Sequence, residues 1–428
     1  MTSCLGGDNF EDNFIPTDAE IVAFSLSHDS VSELKTVVFS IDQKQNLIYN
    51  YDSMTYLTDI KEKVIINYTT AAGVNNILNI TNGDSVWVNS GDSIDISVPL
   101  KLKVFALDGN TTKEYSAQLN IHQIDPDSVQ YQKFASDLPF LQTEETKTIL
   151  FGGRFFTFSK IENDLQLYSS SDAINWQKET LSGLPATILI KGIQQNKDQI
   201  FAYSQEGNLY TSQDANADTW RQVNTEYPVV GILGFLNASA NQLEGLSVVV
   251  EKEGEKVFAF THNSTDWTYS SSAIPTDFPL HDFSSLSYTV MKTERITNIG
   301  GVSSDGTVQN AVWSTQTGLY WAKISDNRQI FPPLAGANAF YYNDEFWLTN
   351  GQLSDGTYNK EVYYSTDGGN TWFIKPEKYQ TPEDFTARSS ASLVVDGEGK
   401  YFYIIGGKNS TVLPEIWKAF QNKKEFNY

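Results

Sequence analysis

The sequence predicts an all-β chain, a β-sandwich followed by a six-bladed β-propeller. Aromatic residues make up 13% of its 428 positions and glycine supplies 28 of them, a mix that favours strands and tight turns. No stretch shows capped helical periodicity. Beyond residue 127, Gly pairs or an Asn-Gly close apolar strands at Gly152-Gly153, Gly300-Gly301, Asn350-Gly351 and Gly406-Gly407. Successive pairs lie 148, 50 and 56 residues apart. The first interval spans about three of the others, which places two disguised units at Phe201-Ala202-Tyr203 and Val257-Phe258-Ala259-Phe260. Units of roughly 50 residues have the length of propeller blades.

Residues 1–16 are polar, acidic and glycine-containing, the composition of a flexible tether. Residues 17–126 carry short alternating segments, among them Ile21–Leu26, Val64–Tyr68, Leu102–Leu107 and Tyr115–Ile121. Turn signals stand at Asn82-Gly83-Asp84 and Ser90-Gly91-Asp92, and Leu107-Asp108-Gly109-Asn110-Thr111 marks a hairpin between the last two strands. That spacing suits a β-sandwich, with Trp87 expected in its core. The closing VFALDGNTTKEYSAQLNI resembles the terminal hairpin of immunoglobulin-like domains in bacterial surface proteins.

Residues 127–428 form the repeat region. An aromatic strand follows the Gly pairs at Tyr168, Trp313, Tyr364 and Trp417. After it comes a turn best seen in Ser365-Thr366-Asp367-Gly368-Gly369-Asn370-Thr371-Trp372, whose Ser, Asp and Asn can bind turn amides and whose indole can wedge between sheets. Ser314–Trp321 aligns with it without a gap, Gln316 replacing Asp367, and weaker versions end at Trp176, Trp220 and Trp267. The turn resembles the Asp-box, S-x-D-x-G-x-T-W, found on the outer hairpins of propeller blades. The Gly pair followed by an aromatic resembles the Kelch repeat. Trp347, in a blade strand, is expected in the core. Tyr131-Gln132-Lys133 with Leu138-Pro139 echoes Trp176-Gln177-Lys178 with Leu184-Pro185. Val129–Phe134 is therefore expected to complete the last blade and remove its free edge, with Ala419–Phe426 as the rival for that place.

With 52 acidic against 30 basic residues the net charge is −22. Such a chain lacks the basic stripe that recruits nucleic acid. One cysteine and four scattered histidines give no metal cluster, and no apolar run is long enough to span a membrane. No cofactor or metal is expected.

Thr2-Ser3-Cys4 before Leu5-Gly6-Gly7-Asp8 resembles the end of a bacterial lipoprotein signal, which makes Cys4 the expected lipid attachment point. The charged and apolar parts of such a signal would lie upstream of Met1; otherwise Cys4 is a tail residue. The whole chain resembles uncharacterised surface lipoproteins of Bacteroidota. The resemblance implies an outer-membrane location, membrane contact only through the lipid, and a monomeric binding module for a glycan or protein. Candidate ligand contacts are Arg154 and Arg295 near Gly pairs, and Asp305, Asp355 and Tyr358 in the near-copied loops Ser303–Thr307 and Leu353–Tyr358. No catalytic residue is assigned. A sialidase-like glycoside hydrolase is the alternative, since Asp-box propellers include such enzymes. It would need an arginine clamp and a Tyr–Glu pair, and the chain has five arginines. A purely structural spacer is the third reading.

Overall fold

The computed structural model describes residues 15–56, 58–83, 85–125, 127–239, 244–325 and 330–422. Cys4 lies outside them. The chain divides into two compact units at residue 126.

The first unit has two sheets. One orders Ile21–Ser27, Val64–Thr70 and Ser93–Ile94; the other orders Phe39–Asp42, Leu47–Asn50, Thr112–Gln118, Leu100–Phe105, Asn76–Asn79 and Val86–Asn89. Leu47–Asn50 runs parallel to Thr112–Gln118, while the other neighbours are antiparallel. Ile21, Ile48, Ile66, Val104 and Tyr115 share the core. Trp87 does not join them. It is 52% exposed on the edge strand Val86–Asn89, beside Phe105 at 5.5 Å. Successive side chains of a strand face opposite sides, and Val88 takes the inward phase.

The second unit contains six antiparallel four-stranded sheets among the described residues. Sheet I comprises Thr146–Phe151, Arg154–Ile161, Asp164–Ser170 and Gln177–Glu179. Sheets II, III, IV and V follow in chain order over residues 194–223, 229–273, 284–323 and 338–374. Sheet VI takes Ser392–Val395, Phe402–Ile405 and Ile416–Gln421, and its fourth strand is Val129–Ala135. The pairing expected for Val129–Phe134 is thus present, in the register Val129↔Gln421 to Lys133↔Trp417. Ala419, the start of the rival segment, sits in the third strand.

The first strands touch in a closed cycle. Thr146–Phe151 packs by Ile190–Gly192, which leads into sheet II; sheet II meets Val229–Leu236, followed by Ser284–Val290, Asn338–Tyr342 and Ser392–Val395, which returns to Thr146–Phe151. A first strand has an unpaired edge, and buried edge groups need partners. Side chains of neighbouring sheets supply them. Gln195 Nε2 donates to Leu150 O at 2.6 Å, Ser285 Oγ to Leu233 O at 2.7 Å and Asn338 Nδ2 to Ala391 O at 2.8 Å. Ser284 Oγ accepts from Ala339 N, and Ser392 Oγ accepts from Thr148 N, both at 2.8 Å. The inner ring is stitched by short polar side chains as much as by apolar packing.

Sheets I to V turn from third to fourth strand on side-chain oxygens that accept from turn amides, and in sheets I, II and V an indole closes the turn. In sheet V, Ser365 Oγ accepts from Gly369 N at 2.9 Å and Asp367 Oδ1 from Thr371 N at 3.0 Å, while Trp372 Nε1 donates to Gly369 O at 3.0 Å. In sheet I, Ser170, Asp172 and Trp176 repeat these roles. Sheet III uses Thr261 and Asn263. Sheet IV corrects the gapless alignment. There Thr315 Oγ1 accepts from Gly318 N and Thr317 Oγ1 from Tyr320 N, both at 3.0 Å, so Thr317 and not Gln316 stands for Asp367. The hairpin is one residue shorter, which the strand pairings Ile296↔Thr315 and Phe346↔Ser365 fix.

Two further anchors of the repeat are out of phase. Gly152-Gly153 joins the first and second strands of sheet I, both at positive φ, the conformation a two-residue hairpin requires. The other pairs end second strands. Val257–Phe260 likewise lies in the third strand of sheet III, since Gly245–Lys252 is the second. Trp347 is fully buried, as expected for a core residue.

Candidate functional site

Antiparallel order gives each sheet two ends. Turns between the first and second and between the third and fourth strands gather at one; turns between the second and third strands, and the linkers from sheet to sheet, gather at the other. The second end holds two cavities. A channel of about 310 Å3 runs along the first strands and is lined by Lys147, Thr148, Gln195, Ser285, Asn338 and Ser392, among others. A depression of about 330 Å3 opens over the linkers, lined by Glu144, Ile190, Lys191, Tyr203, His281 and Asp282. Lys191, Gln194, Asp282 and Phe283 line both, so they form the mouth between them.

Three linkers build one side of that mouth. Asp282, Gly336 and Ser390 each stand two residues before a first strand, and each has a positive φ, 54°, 62° and 55°. They are joined edge to edge: Gly336 N donates to Asp282 O at 2.7 Å and Ser390 N to Gly336 O at 2.8 Å. The middle position has no room for a side chain, because a Cβ on Gly336 would lie 2.8 Å from Ser390 N. Asp282 and Ser390 pay for a left-handed backbone that suits glycine better. Such strain is kept where the surroundings fix the conformation.

Lys191 reaches this arc from the linker ahead of sheet II. Its Nζ donates to Ser390 Oγ at 3.2 Å and lies 4.0 Å from Asp282 Oδ1. On the outer side, His281 Nδ1 is 2.9 Å from Asp282 Oδ2, and Lys408 Nζ is 2.7 Å from Glu144 Oε2. The hydrogen bond from His281 holds the Asp282 carboxyl below its ordinary pKa; burial opposes this, and the charges of Lys191, His281 and Lys408 add to it. The Lys408 hydrogen bond, against partial burial, likewise lowers Glu144, with help from Lys408 and Lys191 as charges. Burial pushes the Tyr203 phenol up to about 12, and the Asp282 charge adds to the shift. At neutral pH Asp282 and Glu144 are therefore carboxylates and Tyr203 a neutral phenol, beside the Lys191 and Lys408 side chains.

The residues expected from the sequence are divided between the two ends. Arg154 opens the second strand of sheet I at the opposite end, where Nη2 donates to Ser169 Oγ at 2.6 Å and meets Glu179 Oε1 at 3.5 Å. Arg295 lies at that same end, in the second strand of sheet IV, with its Nε and Nη2 3.1 and 2.7 Å from the Gln316 side-chain amide, whose oxygen satisfies both donors when turned toward them. Asp305 and Asp355 are on the end that holds the mouth. Each accepts from its own turn, Thr307 N at 3.0 Å and Thr357 N at 2.9 Å. Tyr358 Oη donates to Asn409 O at 2.7 Å and ties two neighbouring loops. The arginines are thus not brought together with the loop residues, and each of these candidates already bonds within the fold. The groups at the mouth were missed because no motif marks them. One signal was available: residues 282, 336 and 390 stand at an even spacing of 54.

Among the described residues no group of His, Cys, Asp and Glu is placed to hold a metal ion, and no helix is long and apolar enough to cross a membrane. No curated protein matches the chain. Among solved structures, the one titled "Structure of YjhT" is 11% identical with a TM-score of 0.44, covering 64% of this chain and 93% of that one. Residues 18–119 match the N-terminal domain of the family DUF6242, a domain of unknown function, and residues 125–428 match the DUF6242 beta propeller domain. An all-β chain of closed, four-stranded repeats behind a separate two-sheet unit, matched over both parts, belongs to the DUF6242 family.

Proposed function

We propose that this chain is a cell-envelope binding protein that takes a glycan or protein ligand at the mouth of a six-bladed propeller. Each four-stranded sheet is one blade, and the recurring turns support the Asp-box-like reading of the repeat. The first unit acts as an immunoglobulin-like spacer, and Cys4 carries the lipid that anchors it to the outer membrane. A lipid anchor needs no spanning helix. One observation carries the binding reading: charged side chains from linkers of different blades converge on one cavity mouth, where nothing in the strand packing requires them.

The glycosidase alternative is less well supported. A hydrolase of that class needs one carboxyl held protonated beside one held ionised. Glu144 and Asp282 are both held ionised, and Tyr203 at about 12 is a poor nucleophile. The test is a glycan array, with outer-membrane protein capture beside it, probed with the full chain. Retention of one glycan class or one surface protein is the expected result. Turnover of a fluorogenic glycoside, or no retention on either surface, would reject the binding reading.

A further inference from the structure

Three charged residues line the channel behind the mouth, Lys147, Lys191 and Asp282. Two cations against one anion is the reverse of the chain as a whole, which has 52 acidic and 30 basic residues. Lys191 and Asp282 face each other at the mouth. Lys147 has no such partner. It stands on the first strand of sheet I, opposite Phe158 and on the same face as Ile149. Among the described residues its ammonium makes no ion pair and no hydrogen bond, and burial alone acts on its pKa, which it lowers. The neighbouring lining is neutral and polar: Thr148, Gln194, Gln195 and the serines that stitch the first strands. An ammonium on a half-buried side chain, partly withdrawn from bulk water without a counter-charge, weakens the folded state. A structural lysine would not need to face a cavity, and nothing in the packing of sheet I calls for a charge there.

We propose that the channel is an anion site, in which Lys147 receives a carboxylate or phosphate group and Lys191 guides it through the mouth. This rests on the mouth being the ligand-binding end and names the chemistry it selects. The ligand's oxyanion supplies the counter-charge that the protein withholds, and the hydroxyl and amide groups of the lining hydrogen-bond its remaining oxygens. Asp282 holds Lys191 across the mouth in the empty state and gives it up as the anion passes. The channel, at about 310 Å3, admits a small acid or the acidic end of a larger molecule.

The test is thermal unfolding of the full chain in acetate, inorganic phosphate and chloride at equal ionic strength. Acetate or phosphate should raise the midpoint over chloride by on the order of 2 °C. A response to acetate alone assigns a carboxylate; a response to phosphate alone assigns a phosphate. Lys147→Met should melt higher than the wild type in chloride and lose the anion response, whereas Lys147→Arg should keep it. Should Lys147→Met not fold, acetic anhydride labelling of the wild type gives the same answer. The anion should slow acylation of Lys147 and leave that of exposed Lys197 unchanged. Equal midpoints in all three salts, an undiminished response in Lys147→Met, or unprotected Lys147 overturns the proposal. A glycan array without signal leaves this result standing, because the anions are tested directly. Array binding without an anion response removes only the assignment of Lys147.

Discussion

Trp372→Ala is expected to lower stability by about 3–5 kcal/mol, the usual range for truncating a buried indole, and to leave ligand binding unchanged. The indole is 3% exposed and packs edge-on against Phe331 at 5.3 Å. It shares a core with Ile299 and Val312 of sheet IV and with Phe346 and Tyr363 of sheet V, so it wedges one sheet against the next. Its Nε1 also closes the turn on Gly369 O at 3.0 Å. Truncation removes the wedge and that hydrogen bond together. The turn lies at the end remote from the mouth, which is why binding should survive. Trp87→Ala provides the contrast. At 52% exposure it should change stability by no more than about 0.5 kcal/mol, as surface substitutions do. Thermal or urea unfolding of both variants, followed by fluorescence, checks the pair.

Glu415→Gln should cost about as much, about 3–5 kcal/mol, because it strands a buried guanidinium. The Arg388 side chain is wholly buried. Its Nη2 donates to Glu415 Oε1 at 2.6 Å, Nη1 to Gly406 O at 3.1 Å and Nε to Thr386 O at 2.9 Å, and it stacks on the Phe385 ring at 4.3 Å. Glu415 also accepts from Trp417 Nε1 at 2.8 Å and pairs with Lys133 at 2.8 Å. Lys133 belongs to Val129–Ala135, so one carboxylate clasps the strand that completes sheet VI. The cost of Arg388→Met with Glu415→Gln should be well below the sum of the two singles, since the pair is lost together. Burial alone would raise the Glu415 pKa, but hydrogen bonds from Lys133, Trp417 and Arg388, with the Arg388 charge, bring it below the ordinary value. A carboxyl depressed in the folded state stabilises above its unfolded pKa and loses that contribution as pH falls through its folded value. The wild type should therefore lose stability on acidification below about pH 4.5 more steeply than Glu415→Gln, which unfolding midpoints at neutral and acid pH will show.

Much of the fold was legible because it is periodic. The hairpin device at Ser365–Trp372 could be read from residue types alone, and the echo of Tyr131-Gln132-Lys133 led to the strand that closes sheet VI. Errors arose where one residue type does two jobs. The pair Gly152-Gly153 makes a first-to-second hairpin, while Gly300-Gly301 ends a second strand, and sequence spacing cannot distinguish them. In the Gln316 segment a threonine hydroxyl does the work of an aspartate, which a search for Asp misses. Trp87, expected in the core, stands outside because the phase of an edge strand decides its side. The mouth was the least legible part. Its groups come from Glu144, Lys191, Asp282, Ser390 and Lys408, far apart in sequence and united only when the ring closes. Arginine is the side chain suited to clamp an anionic ligand, yet Arg154 and Arg295 are engaged at the other end.

The end carrying the mouth, and not the end carrying the tryptophan turns, is the one proposed to bind the ligand. Ligand affinity for two variants decides between them, Lys191→Ala at the mouth and Arg154→Ala at the opposite end. Lys191→Ala should lose about tenfold or more in affinity, as for removal of a charged hydrogen-bonding group, and Arg154→Ala should bind unchanged. Full affinity in Lys191→Ala with a loss in Arg154→Ala would contradict this assignment.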